Sequence, residues 1–273
     1  MDITRNAFIT GGGNGIGKAC AHSFAKAGAR AIVVADLDLQ AAQKTAEETH
    51  SLATHAEFSV NAVQLDVTIE ADVKAAVARM VDQYGRIDYC VHSAGIAATT
   101  FNPVSGTNFD DFKHVQNVNC FGTFLVTNIV AAAMKSQEPV PYDDSLPGKG
   151  TTRGSIVNIG SIASVIALPN MVQYNTAKHG VLGISKTAAL DLVNDGIRVN
   201  CVCPAWTSTP MIEKASEMFP GWEEAMKQQI PMGRLALPQE IAETILFLCS
   251  PKSSYVTGSS MIVDGGVSLG CHR

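Results

Sequence analysis

The sequence predicts an α/β fold in one domain spanning residues 1–273: a doubly wound parallel sheet of seven strands with helices on both faces. Short apolar runs of strand length alternate along the chain with longer segments of helical period. Such alternation makes successive strands parallel and lays the crossover helices over the sheet. No Pro-, Gly- or Ser-rich linker divides the chain, and hydrophobic residues make up 46% of it, enough for one large core.

The elements follow in order. A strand over 6–9 leads into Thr10-Gly11-Gly12-Gly13-Asn14-Gly15-Ile16-Gly17 and a helix over 18–27, ended by Gly28. A second strand over 31–35 stops at Asp36, and helical period returns over 39–52. A third strand is expected over 63–67, with Asp66 near its end, then a helix over 71–84 closed by Gly85. The fourth strand, 87–92, turns at Ser93-Ala94-Gly95, and a long helix over 109–134 carries Asn119. The fifth strand begins at Ser155; Pro169 and Asn170 break the chain before a helix opening at Tyr174. A sixth strand over 197–202 ends in Cys203-Pro204-Ala205, a late helix covers 238–249, and a last strand covers 260–263. Residues 136–153, rich in Pro, Gly and charge, read as an exposed surface insertion at the end of the sheet away from the site.

Composition excludes several classes. The net charge of −5 and the lack of a basic run argue against a nucleic-acid partner. No apolar stretch of membrane-spanning length and no signal peptide are expected. Seven cysteines, mostly within apolar patterns, fit reduced thiols and a cytoplasmic protein. Cys201 and Cys203 share a strand face, but no further Cys or His cluster completes a metal site, so no metal is expected.

Two stretches carry chemistry. Tyr174 and Lys178 lie four apart, so on a helix they share a face. A phenol alone titrates near ~10 and is a poor acid–base group at neutral pH, whereas a neighbouring ammonium favours the phenolate. Ser161, at the end of the fifth strand and thirteen residues before Tyr174, adds a hydroxyl donor for a carbonyl oxygen. At the other end of the chain the glycines do not fit G-x-G-x-x-G; they read T-G-x-x-x-G-x-G, with Gly11, Gly15 and Gly17. The physical need is the same: a tight turn, close approach to a pyrophosphate, and amides at a helix N-terminus. Asp36, nineteen residues after Gly17, is placed to accept hydrogen bonds from the adenosine ribose hydroxyls. A carboxylate there repels a 2′-phosphate, and no Arg or Lys offsets it, so the expected cofactor is NAD. Asp66 and Val67 are placed to meet the adenine.

Together these motifs resemble the short-chain dehydrogenase/reductase family in its classical form, over essentially the whole chain. The resemblance implies a single-domain Rossmann fold in which Tyr174 exchanges a proton with the substrate oxygen, Ser161 holds that oxygen, and Lys178 supports the Tyr and binds the nicotinamide ribose. It implies that Asn119 holds a water in a proton relay to Lys178. Gly11, Asn14, Gly15, Ile16, Gly17, Asp36, Asp66, Val67, Ala94, Gly95, Pro204, Thr207 and Thr209 would contact the cofactor, with Thr209 at the carboxamide. Two departures stand out. The family's Asn-Asn-Ala-Gly turn is His92-Ser93-Ala94-Gly95, so the Asn that ties the central strands becomes Ser93, which is expected to loosen the sheet. The family's Pro-Gly is Pro204-Ala205.

Residues 209–232 form the expected substrate lid, with Met211, Ile212, Met218, Phe219, Trp222, Met226, Ile230 and Met232. Ala97, Ala98 and Phe101 are expected to face the same pocket. An apolar, Met-rich lining fits a hydrophobic or cyclic alcohol or ketone; ordinary packing of the lid on the core is the competing account. The resemblance also implies a homotetramer. NADP(H) in the same site, a non-redox reaction (dehydration, epimerisation or cyclisation) and a non-catalytic nucleotide sensor are the alternatives.

Overall fold

The computed structural model describes residues 3–98, 100–218 and 221–270. Its elements are β1 (Asn6–Thr10), α1 (Gly15–Lys26), β2 (Ala31–Asp36), α2 (Leu39–Leu52), β3 (Ser59–Gln64), α3 (Glu70–Tyr84), β4 (Tyr89–His92), α4 (Phe109–Gln116) and α5 (Gly122–Lys135). There follow β5 (Val140–Pro141), β6 (Thr151–Thr152), β7 (Gly154–Ile159), α6 (Val172–Leu192), β8 (Ile197–Pro204), α7 (Pro210–Met218), α8 (Trp222–Gln229), α9 (Pro238–Cys249) and β9 (Ser260–Val263). Seven strands form one sheet in the order β3-β2-β1-β4-β7-β8-β9, every pair parallel.

The strands read as continuous apolar runs because both sheet faces are buried. Alternate residues feed two cores. Ala7, Ile9, Ile32, Val34, Val91 and Val157 meet α1, α2 and α9 through Phe24, Ala42 and Ile245. Phe8, Val33, Ala35, Cys90, Ile156 and Val199 point the other way, toward Val77 of α3, Val130 of α5 and Leu192 of α6. The order of strands reverses between β1 and β4, so their carboxyl ends splay into a crevice.

Three expectations need correction. The third strand is Ser59–Gln64 rather than 63–67. It is an edge strand, half-buried over most of its length, so its sequence lacks the apolar run of a central strand. Beyond it the Leu65 amide still bonds the Asp36 carbonyl (2.8 Å), and Asp66 then turns the chain. The expected long helix is interrupted at Asn117–Phe121 by a π-helical segment, with Asn119 at its centre. Finally, the helical stretch Phe109–Lys135 is long and apolar enough to cross a membrane by composition. Val115, Val126, Val130 and Met134 pack inside the protein, whereas Phe109, Phe121 and Phe124 of the same stretch are exposed, so burial accounts for part of that apolarity.

Residues 136–153 are more ordered than a loop. Val140 and Pro141 pair antiparallel with Thr152 and Thr151. The hairpin lies at the amino ends of the strands: Arg5 donates to the Pro141 carbonyl (2.8 Å), and Gln137 to the Ile87 carbonyl (2.9 Å).

Candidate active site

The crevice at the carboxyl ends of β1, β2, β4 and β7 gathers most of the residues singled out from the sequence. On one wall the glycine turn is fitted to its neighbours by backbone contact. Gly11 has φ +63°, and a Cβ there would lie 2.6 Å from the Ala94 amide nitrogen. A Cβ on Gly17 would run into the Gly11 carbonyl oxygen. Only glycine lets the turn, the first helix and β4 come this close. Asn14 caps α1 in extended conformation with no side-chain bond, leaving the first-turn amides aimed into the crevice. Gly15 faces Thr209, whose Cγ2 lies 3.2 Å from where its Cβ would be.

Asp36 ends β2 beside this turn. One carboxylate oxygen accepts the Gly13 amide (2.8 Å), the other the Asp38 amide (3.0 Å). Each oxygen keeps a lone pair for a ligand hydroxyl. Asp66 lies past β3 and accepts both the amide (2.9 Å) and the hydroxyl (2.7 Å) of Thr68, so one of its oxygens serves its own turn. Val67 is buried against Gly122. Pro204 closes β8, and Thr207 is buried with its hydroxyl on the Ala205 carbonyl.

The opposite floor carries the polar groups. Buried Lys178 donates to the Ile159 carbonyl (2.9 Å), and its ammonium lies 5.7 Å from the centre of the Tyr174 ring. Among the described residues this is its one hydrogen bond, which leaves two N–H groups for a ligand. Ser161 ends β7 in a reciprocal cap: its hydroxyl accepts the Ala163 amide (3.1 Å), and the Ser164 hydroxyl accepts the Ser161 amide (3.1 Å). The Ser161 hydroxyl donates no hydrogen bond among the described residues, so its proton remains available to a ligand. Asn119 clamps the chain after β4, accepting the Ile96 amide and donating to the Ile96 carbonyl, both at 2.8 Å. A Cβ on Gly95 would sit 3.0 Å from Asn119 Oδ1 and 3.7 Å from Lys178 Nζ, so these groups meet at Gly95, next to the Ala94 that lies against Gly11.

Three participants were not singled out from the sequence. Ser164 holds Ser161, and the Ser-x-x-Ser spacing of a cap was a usable signal. Gln173 is buried beside Tyr174. His92 Nδ1 pairs with Thr10 Oγ1 (2.8 Å) in the core, joining β1 to β4. This corrects the expectation of a loosened sheet: His92 makes the side-chain tie between the central strands, and the Ser93 amide adds a bond to the Thr10 carbonyl (3.1 Å). Burial, with Lys178 nearby, pushes His92 down to about 3, so it is neutral.

The lid divides. Ile212, Trp222, Met226 and Ile230 pack with Ile162, Leu235 and Val267. Met211 and Met232 are exposed, Met232 at 70%. Phe219 and the Met218 side chain lie outside the described residues. Cys201 and Cys203 share a buried face as expected, their sulfurs 3.8 Å apart and unbridged.

A crevice of this kind, at the switch point of a doubly wound sheet with a glycine turn after the first strand and an acid at the end of the second, is that of a dinucleotide-binding fold. Comparison with known proteins narrows the class. Residues 11–268 match the family model described as enoyl-(acyl carrier protein) reductase. The short-chain dehydrogenase fogB of Aspergillus ruber is 51% identical over 98% of both chains. The 2,5-dichloro-2,5-cyclohexadiene-1,4-diol dehydrogenase of Sphingobium indicum is 32% identical over 96% of both. Among solved structures, the 3-ketoacyl-(acyl-carrier-protein) reductase of Brucella melitensis complexed with NADH superposes with a TM-score of 0.82 at 31% identity, over 98% of this chain and 99% of that one. The chain belongs to the short-chain dehydrogenase/reductase family, in its classical form. It is an oxidoreductase of a family that binds a nicotinamide cofactor.

Proposed function

We propose that this protein interconverts a secondary alcohol and a ketone with NAD(H), acting on a hydrophobic or cyclic substrate. The observation that carries the reading is Lys178 held on the Ile159 carbonyl at the end of β7, two residues before Ser161, with its ammonium 5.7 Å from the centre of the Tyr174 ring. The residues fit a dinucleotide: the uncapped start of α1 takes a pyrophosphate and Asp36 takes ribose hydroxyls, with Thr209 against Gly15 of the same turn and Gly95 against Asn119 and Lys178. Bound nicotinamide supplies the hydride acceptor or donor. In reduction, Ser161 donates its hydrogen bond to the carbonyl oxygen and Tyr174 Oη delivers the proton to it; in oxidation, Tyr174 takes that proton. Lys178, anchored on Ile159, holds positive charge near the phenol and offers its free N–H groups to the ribose. Asn119 keeps Ile96, and so Gly95, in register with Lys178; one lone pair and one N–H of its amide remain for a relay water.

Asp36 supports NAD over NADP. Its carboxylate is fixed by two backbone amides, and the next residues, Leu37 and Asp38, bring no cation to meet a 2′-phosphate. The Brucella relative was solved with NADH, in the same direction. For the substrate, exposed Met211 and Met232 and the half-buried Ala97 and Phe101 provide apolar surface, and the Sphingobium relative's name describes a cyclic diol. A homotetramer is also part of this reading: Phe109, Phe121 and Phe124 are 70, 57 and 50% exposed along α4, the π segment and α5, and Leu190 is 78% exposed on neighbouring α6. Free thiols throughout the described residues fit a reducing, cytoplasmic setting.

The test is a fluorescence titration with NADH and NADPH, followed by nicotinamide absorbance against a panel of cyclic and open-chain ketones and secondary alcohols. Tighter NADH binding with turnover of cyclic ketones is expected. Tighter NADPH binding overturns the cofactor assignment; binding without turnover on the whole panel overturns the redox reading.

A further inference from the structure

Gln173 precedes Tyr174 on α6 and is fully buried. Its Nε2 donates to the Thr100 carbonyl (2.8 Å) and to Asp111 Oδ2 on α4 (3.1 Å). The Thr100 hydroxyl donates to the same Asp111 oxygen (2.6 Å), and Gln116 Nε2 donates to the Gln173 main-chain carbonyl (2.7 Å). The amide orientation follows from its partners, since a flip sets Oε1 against two acceptors. Among the described residues Oε1 is buried with no hydrogen-bond partner. An apolar side chain of similar volume fills this space without that desolvation penalty. Local rules broken in this way concentrate where function requires them.

The network has a direction. After β4 the chain is held at two points, Ile96 and Thr100. Asn119 grips Ile96 through two hydrogen bonds, and Gln173 grips Thr100. One anchor therefore sits in the π segment that faces Lys178, the other is covalently next to Tyr174. We infer that Gln173 is a positioning residue for the reaction: it fixes the distance between the Tyr174 phenol and the substrate-side wall that begins at Ile96, and it touches no reacting atom itself. This rests on the alcohol–ketone reading above. Displacement of a reacting group by about 1 Å costs on the order of 10²-fold in rate, so a tether at this place has kinetic weight.

Gln173→Leu removes both side-chain donors while keeping apolar volume; Gln173→Glu sets a carboxyl against Asp111, the titratable group Gln173 touches. Three readouts apply to each variant: NADH titration, steady-state kinetics on the best ketone of the panel across pH, and amide exchange in peptides covering Ile96 and Thr100. For Gln173→Leu the expected result is unchanged NADH affinity, a fall in kcat/KM on the order of 10²-fold carried mainly by kcat, and faster exchange at Thr100. For Gln173→Glu, activity relative to the parent protein is expected to recover as pH falls, because the protonated carboxyl again donates to Asp111. A packing role alone does not produce that recovery. Parent-like kcat/KM in Gln173→Leu, or NADH affinity lost in step with activity, overturns the inference. Should the parent protein turn over no ketone, the redox reading fails separately, and unchanged exchange at Thr100 in Gln173→Leu still overturns the tether.

Discussion

The glycine turn on one side of the crevice and the lid on the other are held in place by different means. The turn is set by backbone: Gly11 against Ala94, Gly17 against Gly11, and Asp36 on the Gly13 amide, with no room for a single added carbon. The lid is set by side chains, Trp222, Met226 and Ile230 closing over Ile162 and Val267, while Met211 and Met232 stay exposed. Backbone contacts leave almost no choice of residue, as suits a cofactor of one shape. Side-chain packing tolerates exchange of similar volumes, as the proposed role of a substrate wall requires.

The comparison breaks most easily on the cofactor side. Gly17→Ala forces a Cβ into the Gly11 carbonyl oxygen, and it is expected to abolish NADH binding and to cost about 3 kcal/mol in urea unfolding. An alanine variant that binds NADH normally removes the backbone-fit account. His92 tests the frame beneath the turn. Its folded value near 3 lies below its ordinary one near 6.5, so between those values the unfolded chain binds the extra proton. Stability is therefore lost as pH falls through that window, by about 1.4 kcal/mol per pH unit from this residue alone. Unfolding of His92→Asn at several pH values should show that component removed; an identical pH dependence in both proteins contradicts a buried neutral imidazole. The lid gives the smallest effects and the sharpest contrast. Ile230→Ala is expected to cost about 2–3 kcal/mol, and Met232→Ala less than about 0.5 kcal/mol while raising KM for a bulky ketone. Equal destabilisation by the two places Met232 in the lid core instead.

Much of this was legible in the sequence because the central strands are buried on both faces and so are apolar throughout, and because glycine positions in the turn admit no substitute. The edge strand β3 was misplaced for the same reason in reverse: with one neighbour and half-buried residues, SVNAVQ carries no strong period. The π segment at Asn119 left no trace in the helical pattern, since one extra residue per turn shifts side chains without altering composition. His92 and Gln173 escaped notice because a buried polar residue is recognisable only through its partners, Thr10, Thr100 and Asp111, which are distant in sequence. The lid's apolar residues were visible, but which of them pack inward depends on the fold that surrounds them.

The central claim is that Tyr174 exchanges the proton in a hydride-transfer reaction. Tyr174→Phe removes one oxygen and leaves the ring beside Lys178. NADH titration and turnover should be measured on the variant and the parent protein together. The account predicts parent-like NADH affinity and turnover reduced by about 10³-fold or more. Turnover within a few-fold of the parent, with the cofactor still bound, contradicts it.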